Sequence, residues 1–303
     1  MRQFALIFTC SPYRTSITAQ SIAELTHLPS GINHTSTRVL APGIALEYII
    51  SGDEMDAAAL LQHTRSDVAD HPIDVNLIKP GSDRRKSLLI ADMDSTIIKQ
   101  ECIDELADYA GLGIQVAAIT NRAMLGEIAF EDALRERVSL IKGLSREALK
   151  RVLKTRISLQ HGAKTLIKTM RADGAYTALV SGGFTFFANA IQADVGFDEA
   201  HANVLSFDNA DCLDGRVSAP ILGQEAKGLT LKRLIESRGL SRKATLAVGD
   251  GANDLAMIRH AGLGVAFRAK PIVAREADAV LSHSDLTALL YLQGYTHTEI
   301  VHV

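Results

Sequence analysis

Two pairs of aspartates in this 303-residue chain are spaced to do chemistry. In LLIADMDSTI, residues 88–97, a run of apolar residues leads into Asp92, and Asp94 follows two places later. A buried-strand pattern that ends this way sets two carboxylates on one face, because residues i and i+2 of an extended chain point the same way. Like charges that close repel unless a positive group lies between them. A plain strand end followed by a turn is the competing explanation, since Asp and Ser are common turn residues. In GDGANDLAM, Asp250 and Asp254 bracket glycine and asparagine at a second strand-to-helix junction, where an Asx turn with a helix cap competes.

Two further stretches supply what the carboxylates lack. The strand pattern AYTALV runs into Ser181, Gly182 and Gly183 and then a helical FTFFANAI. Glycines there bare backbone N–H groups at a helix start, which suits an anion, and the Ser181 hydroxyl adds a donor. Lys227, in GQEAKGLTL, precedes another helical pattern. Alone it reads as a solvated surface charge. With four carboxylates (Asp92, Asp94, Asp250, Asp254) expected at one sheet edge, a hard divalent cation is required. Magnesium, which takes a few carboxylates together with a substrate phosphate, fits.

The elements that must position these residues can be read from periodicity. KSLLIA, AYTALV, ATLAVG, LGVAF and AVLS are strand candidates, mostly separated by helical stretches, which predicts a doubly wound parallel sheet. Ligands bind such sheets at the C-terminal edges of the strands. About eighty residues separate the first two of these strands, too many for one crossover helix. IDELADYA, VAAIT, FEDALRERVSLIKGL, REALKRVLKTR and GAKTLIKTMRADG read as helices, some forming a lobe over that edge. Ahead of the sheet, strands are expected at 4–8, 38–40, 44–50 and 73–78, and helices at 16–25 and 53–68, the second capped by Asp53 or Ser51. The order is the split β-α-β-β-α-β of ferredoxin-like modules. PGSDRRK, with its Arg84-Arg85-Lys86 cluster, reads as a solvated linker.

Composition narrows the class. Hydrophobic residues make up 47% and charged residues 22%; 32 basic against 35 acidic residues leave a net charge of −3. That is globular, with no basic footprint for nucleic acid. Three scattered cysteines argue for a reducing compartment, and no apolar run approaches a membrane span. MRQFALIFTC reads as a first strand rather than a secretory leader. A cytoplasmic protein is expected, with a homodimer left open.

DMDST, the serine of VSGGF, Lys227 and GDGAND stand in the order of the four motifs of the haloacid-dehalogenase-like phosphohydrolases, and the set resembles that family. ADMDSTIIKQECIDELA, FEDALRERVSLIKGL, VSGGFTFFA and AVGDGANDLAMI are similar to its phosphoserine phosphatase branch, over about residues 87–290. The resemblance implies an α/β, doubly wound Rossmann-like domain at 83–303 with a helical cap inserted at about 103–160. Residues 1–82 form a small α+β unit that resembles an ACT-like domain. It implies hydrolysis of phosphoserine through an aspartyl phosphate, the last step of serine biosynthesis, with Asp92 as nucleophile and Asp94 as acid and then base. Asp92, Asp250 and the backbone carbonyl of Asp94 would ligate Mg²⁺, with Asp254 behind them orienting ligands or Lys227. Ser181, the Gly182 N–H and Lys227 would hold the phosphate, Asn253 the substrate, and Thr96 the loop. Glu101 and Arg137 match the family's positions for the substrate ammonium and carboxylate, the latter bidentately. Two other readings stand beside this one: another small phosphomonoester as substrate, or an amino-acid-binding regulatory role for the N-terminal unit.

Overall fold

The structure is a computed structural model and describes residues 2–124 and 127–303. The chain begins with β1 (Arg2–Cys10), α1 (Ala19–Leu25), β2 (Asn33–Ala41), β3 (Ala45–Gly52), α2 (Glu54–Asp67) and β4 (Ile73–Ile78). The four strands form one antiparallel sheet in the order β2-β3-β1-β4. The central strands β1 and β3 are the most apolar and are buried almost throughout. Helix α2 buries Ala57, Leu60 and Thr64, the three-and-four spacing of one helical face. Its cap is Asp53, which accepts the Asp56 N–H at 2.8 Å. Helix α1 starts later than the pattern predicted, because Thr18 caps it by accepting the Ser21 N–H at 3.1 Å.

The second part holds β5 (Leu88–Ala91), the helices α3 (Cys102–Tyr109), α4 (Gly113–Met124), α5 (Phe130–Leu140), α6 (Arg146–Thr155) and α7 (Ala163–Ala172), then β6 (Tyr176–Phe184) and α8 (Thr185–Val195). β7 (Glu199–Asn203), β8 (Leu205–Phe207), β9 (Leu213–Val217), α9 (Gln224–Ser237), β10 (Thr245–Gly249), α10 (Leu255–His260), β11 (Leu263–Phe267), α11 (Pro271–Glu276), β12 (Ala279–Leu281) and α12 (Ala288–Leu292) complete it. Six strands pair in parallel in the order β12-β11-β10-β5-β6-β7. All five strands expected from the apolar runs are present, and β7, β8 and β9 are additions. β5 is wholly buried, as a strand covered on both faces must be. The order reverses between β5 and β10, which opens a crevice at their C-terminal ends.

Helices α3 to α6 leave the sheet directly after β5. Their two connections are zipped together: Lys99 N–H donates to Ser158 O at 2.9 Å and Gln160 N–H to Ile97 O at 2.8 Å. The Gln100 side chain pairs with Ser158 beside them. Helix α7 returns to the sheet. The β8–β9 hairpin packs against α5, tied by Gly143 N–H to Leu213 O at 2.8 Å. Among the described residues no helix is long and apolar enough to cross a membrane.

The basic cluster is not a solvated linker. The Arg84 side chain is 10% exposed and pairs with Glu47 of β3, itself fully buried, and it donates to Leu292 O at 3.1 Å. Arg85 pairs with Glu299 and lies 4.1 Å over the Tyr295 ring. The Lys86 ammonium donates to Asp83 O and Lys243 O, both at 2.6 Å. The reason is non-local: a buried carboxylate on one sheet and bare carbonyls at the chain's end require donors, and this segment passes between them. A second seam joins the edge strands. Asn76 of β4 donates to Val280 O and accepts the Val280 N–H, at 2.9 and 2.8 Å, and Asp74 accepts the N–H groups of Ser282, His283 and Ser284. Side chains do there what a backbone ladder would otherwise do.

Candidate active site

Asp92 follows the last residue of β5, and its N–H donates to Val248 O at 3.0 Å, which fixes it against β10. The chain then makes one wide turn, closed by Ile98 N–H on Met93 O at 3.0 Å. Inside it Asp94 is extended and Ser95 left-handed. Asp92 Oδ1 accepts the Met93 N–H at 2.8 Å and the Lys227 ammonium at 2.7 Å. Asp94 Oδ1 accepts the Cys102 N–H at 2.8 Å and its Oδ2 the Ser181 hydroxyl at 3.0 Å. The Asp94 side chain therefore spans the start of α3 and the end of β6. Ser181 also accepts the Gly183 N–H at 2.8 Å. A Cβ on Gly183 would lie 2.6 Å from Asp94 Oδ2, so only glycine lets β6 come this close.

Lys227 is 2% exposed, not solvated. Its ammonium bridges Asp92 Oδ1 and Asp254 Oδ1, the latter at 2.6 Å. Asp254, wholly buried, also accepts the N–H groups of Asp250 and Gly251 on Oδ2, at 3.1 and 3.0 Å. Both its oxygens are thus engaged, and it braces the lysine and the turn after β10. A Cβ on Gly249 would lie 2.3 Å from Asp254 Cγ, which explains the glycine before Asp250.

One carboxylate oxygen from each of Asp92, Asp250 and Asp254 lies within 4.8 Å of the others. Three carboxylates against one ammonium leave a surplus of negative charge in a buried place. Burial, and then the Asp254 charge, push Asp92 well above the ordinary carboxylate range, with Lys227 opposing. The same two causes carry Asp250 up to about 6. Burial alone would lower Lys227, but Asp254 and Asp92 override it and raise it. Asp250 makes no ion pair among the described residues. A cation bound by oxygens relieves this surplus, so the donor set fits a metal. The Asp94 side chain faces Cys102 and Ser181 and is not part of the cluster, which leaves its carbonyl for such a role.

The cap contributes the remaining residues. Glu101 precedes α3 and accepts the Ser95 hydroxyl on Oε1 at 2.6 Å. It borders the water of the crevice yet is crowded by protein. That burial, followed by the Asp94 charge, carries it up to about 7, against the Ser95 hydrogen bond. Arg137 of α5 donates to Ala133 O at 3.2 Å and to Thr120 Oγ1 at 3.4 Å, and makes no ion pair among the described residues. Burial lowers its pKa, while the charges of Asp104, Glu101 and Asp94 act to raise it. Asn253 is half-buried in the turn after β10. Thr96 is fully buried, and its hydroxyl has no partner among the described residues.

The structure thus brings Asp92, Asp94, Ser181, Lys227, Asp250 and Asp254 to one crevice. Periodicity could not reveal three participants. The Cys102 N–H holds Asp94. Phe130, first residue of α5, packs over Gly182 and Gly223; Cβ atoms there would lie 3.2 and 3.6 Å from its ring. Ser95 holds Glu101. The only signal for Phe130 was an aromatic opening a charged helix.

Comparison with known proteins agrees with this geometry. Residues 89–259 match the family described as haloacid dehalogenase-like hydrolase. A phosphoserine phosphatase of Archaeoglobus fulgidus is 40% identical over 248 residues, 81% of this chain and 71% of the relative. A probable phosphoserine phosphatase from Vibrio cholerae, solved unliganded, has a TM-score of 0.78 at 28% identity, covering 96% of this chain and 86% of that one. A structure described as the phospho-aspartyl intermediate analogue of phosphoserine phosphatase has a TM-score of 0.64 at 41% identity, covering 68% and 98%. With four motifs converging on one crevice and relatives matched over most of their length, the chain belongs to the haloacid dehalogenase-like hydrolase family and groups with its phosphoserine phosphatases.

Proposed function

We propose that the chain hydrolyses O-phospho-L-serine to L-serine and phosphate, completing serine biosynthesis in the cytoplasm with Mg²⁺. The observation that supports this most is the pairing, in one crevice, of a lysine-held Asp92 with two unlike charges of the cap, Glu101 and Arg137. A phosphomonoester needs the first. An ester that also carries an ammonium and a carboxylate needs the second.

Asp92 attacks phosphorus through a carboxylate oxygen and takes the phosphoryl group, while the bond to the serine oxygen breaks. Asp94 gives its proton to that leaving oxygen. Burial raises its pKa, which favours the protonated form, and the Cys102 N–H fixes its direction. Once serine leaves, Asp94 takes a proton from water as that water attacks the phospho-aspartate, and Asp92 is regenerated. Lys227 offsets charge on Asp92 and the phosphoryl oxygens, and Ser181 and the Gly182 N–H donate to those oxygens. Asp92, Asp250 and the Asp94 carbonyl would hold Mg²⁺, which supplies the charge neutralisation that lets a dianion approach a carboxylate. A pair of like unit charges at 4 Å costs about 4 kcal/mol at an effective dielectric of 20, so one lysine is too little. Arg137 grips the substrate carboxylate and Glu101 its ammonium, while Asn253 lines the substrate side.

The test is phosphate release from phosphoserine, phosphothreonine, a sugar phosphate and an aryl phosphate, each with Mg²⁺ and with chelator. Phosphoserine should be the best substrate by kcat/KM, and chelator should stop turnover. Preference for a sugar phosphate would replace the substrate and keep the chemistry.

A further inference from the structure

Ser95 lies between the reacting carboxylates and the cap and has no part in the scheme above. Its backbone is left-handed, φ 57° and ψ −2°. Among the described residues only Asp211 and Arg268 share a positive φ without being glycine. That conformation is costly for a residue with a Cβ and persists only where its surroundings hold it. Here they do. The Ser95 N–H donates to Gln100 O at 3.2 Å, the Ile98 N–H closes the turn on Met93, and the neighbouring Asp94 is pinned on both oxygens. Glycine would take this backbone without strain. What serine adds is the hydroxyl, and it donates to Glu101 Oε1 at 2.6 Å, leaving Oε2 without a partner among the described residues.

We propose that Ser95 is a positioning residue: its hydroxyl fixes Glu101 so that Oε2 stays free for the substrate ammonium, which makes the site prefer phosphomonoesters that carry an amino group. This deepens the reading of Glu101 given above and rests on it. A glutamate at the end of a loop has several rotamers, and a free carboxylate would turn toward solvent or toward Arg137. The bond from Ser95 removes that freedom on one oxygen only. Because the strained turn also carries Asp94, the ammonium partner and the acid are set by one short segment.

The experiment compares kcat/KM for phosphoserine and for p-nitrophenyl phosphate in the Mg²⁺-loaded full chain, as wild type, S95A, S95G, E101Q and S95A/E101Q. S95A should lose about 10-fold more on phosphoserine than on the aryl ester, mostly through KM, as expected for loss of a hydrogen bond to a charged group. S95G should lose as much, since it lacks the hydroxyl but not the backbone; it also serves if S95A folds poorly. In the E101Q background S95A should add no more than about 2-fold, because coupled residues act as a unit. Equal losses on both substrates, recovery in S95G, or an undiminished S95A effect in E101Q would each overturn the proposal. A wild type that shows no preference for phosphoserine would end the underlying reading as well; a wild type that prefers it, with additive S95A and E101Q losses, would end this one alone.

Discussion

In the proposed mechanism Asp94 is the residue that separates this chemistry from simple charge stabilisation. Asp94→Asn keeps one acceptor, for the Cys102 N–H, turns the oxygen that faces Ser181 into an amide donor, and removes the proton carrier. It should lower kcat about 10²–10⁴-fold, with Mg²⁺ affinity by titration calorimetry near wild type. Normal turnover with weakened metal binding would reverse the assignment. Arg137→Ala should raise KM for phosphoserine and cost about 10- to 150-fold in kcat/KM, from about 1.5–3 kcal/mol of charge-assisted hydrogen bonding. The loss should be much smaller on an aryl phosphate, which has no carboxylate to grip. Glu101 gives a pH dependence of defined sign. Its pKa is raised to about 7, so it is charged above that value and neutralised as pH falls through it. kcat/KM for phosphoserine should therefore fall on the acid side of about pH 7. A nearby bound cation moves that limb to lower pH without changing its sign. Glu101→Gln should lack the limb; an unchanged profile in the variant would assign it elsewhere.

The elements that place these residues were legible where the signal is local. Five parallel strands announced themselves as apolar runs bounded by turns, and the split β-α-β-β-α-β order followed from alternation. β7 was missed because EAHAN has no apolar run and its alternation rests on two small alanines; it is the edge of its sheet and needs no more. β8 and β9 were missed because their strands span three and five residues and owe their form to α5 beside them. Within the site, residue types and order pointed to the clustered carboxylates and Lys227, and only the family resemblance pointed to Glu101 and Arg137; neither pointed to the contacts. Nothing in GQEAKGLTL says that Lys227 is buried, because its partners lie 135 residues before it and 27 after. The close approach of β6 to the acid is equally silent until a side chain is placed on Gly183. Gly183→Ala sets a methyl 2.6 Å from Asp94 Oδ2 and should cost about 1–3 kcal/mol of stability, with kcat down at least about 10-fold. Wild-type kcat in that variant would show that the acid need not sit against β6.

At the scale of the molecule, two sheets share one apolar cluster, into which Ala5, Ile7, Leu40 and Ile78 of the first sheet pack, and they are joined further by a buried ion pair and by side chains that bridge two edge strands. The sequence hid this because Arg84-Arg85-Lys86 has the composition of a solvated linker, and its partners, Glu47, Leu292 and Glu299, are distant in the chain. Glu47→Ala strands the Arg84 guanidinium, 10% exposed, without its counter-charge. Removing one partner of a buried pair costs about 3–5 kcal/mol. Urea unfolding should show a loss of that order, while kcat on phosphoserine stays near wild type, because Glu47 lies on the other sheet. A loss under about 1 kcal/mol would mean that the shared apolar cluster and the seam through Asp74 and Asn76 carry the docking instead.

The central claim is that Asp92 carries the phosphoryl group. Rapid acid quench of the Mg²⁺-loaded enzyme during turnover of ³²P-phosphoserine, followed by peptide mapping, tests it directly. The label should sit on the peptide that contains Asp92, be released by hydroxylamine as an acyl phosphate, and be absent in Asp92→Asn, which should not turn over. Label on another residue, or full turnover by Asp92→Asn, would contradict the account.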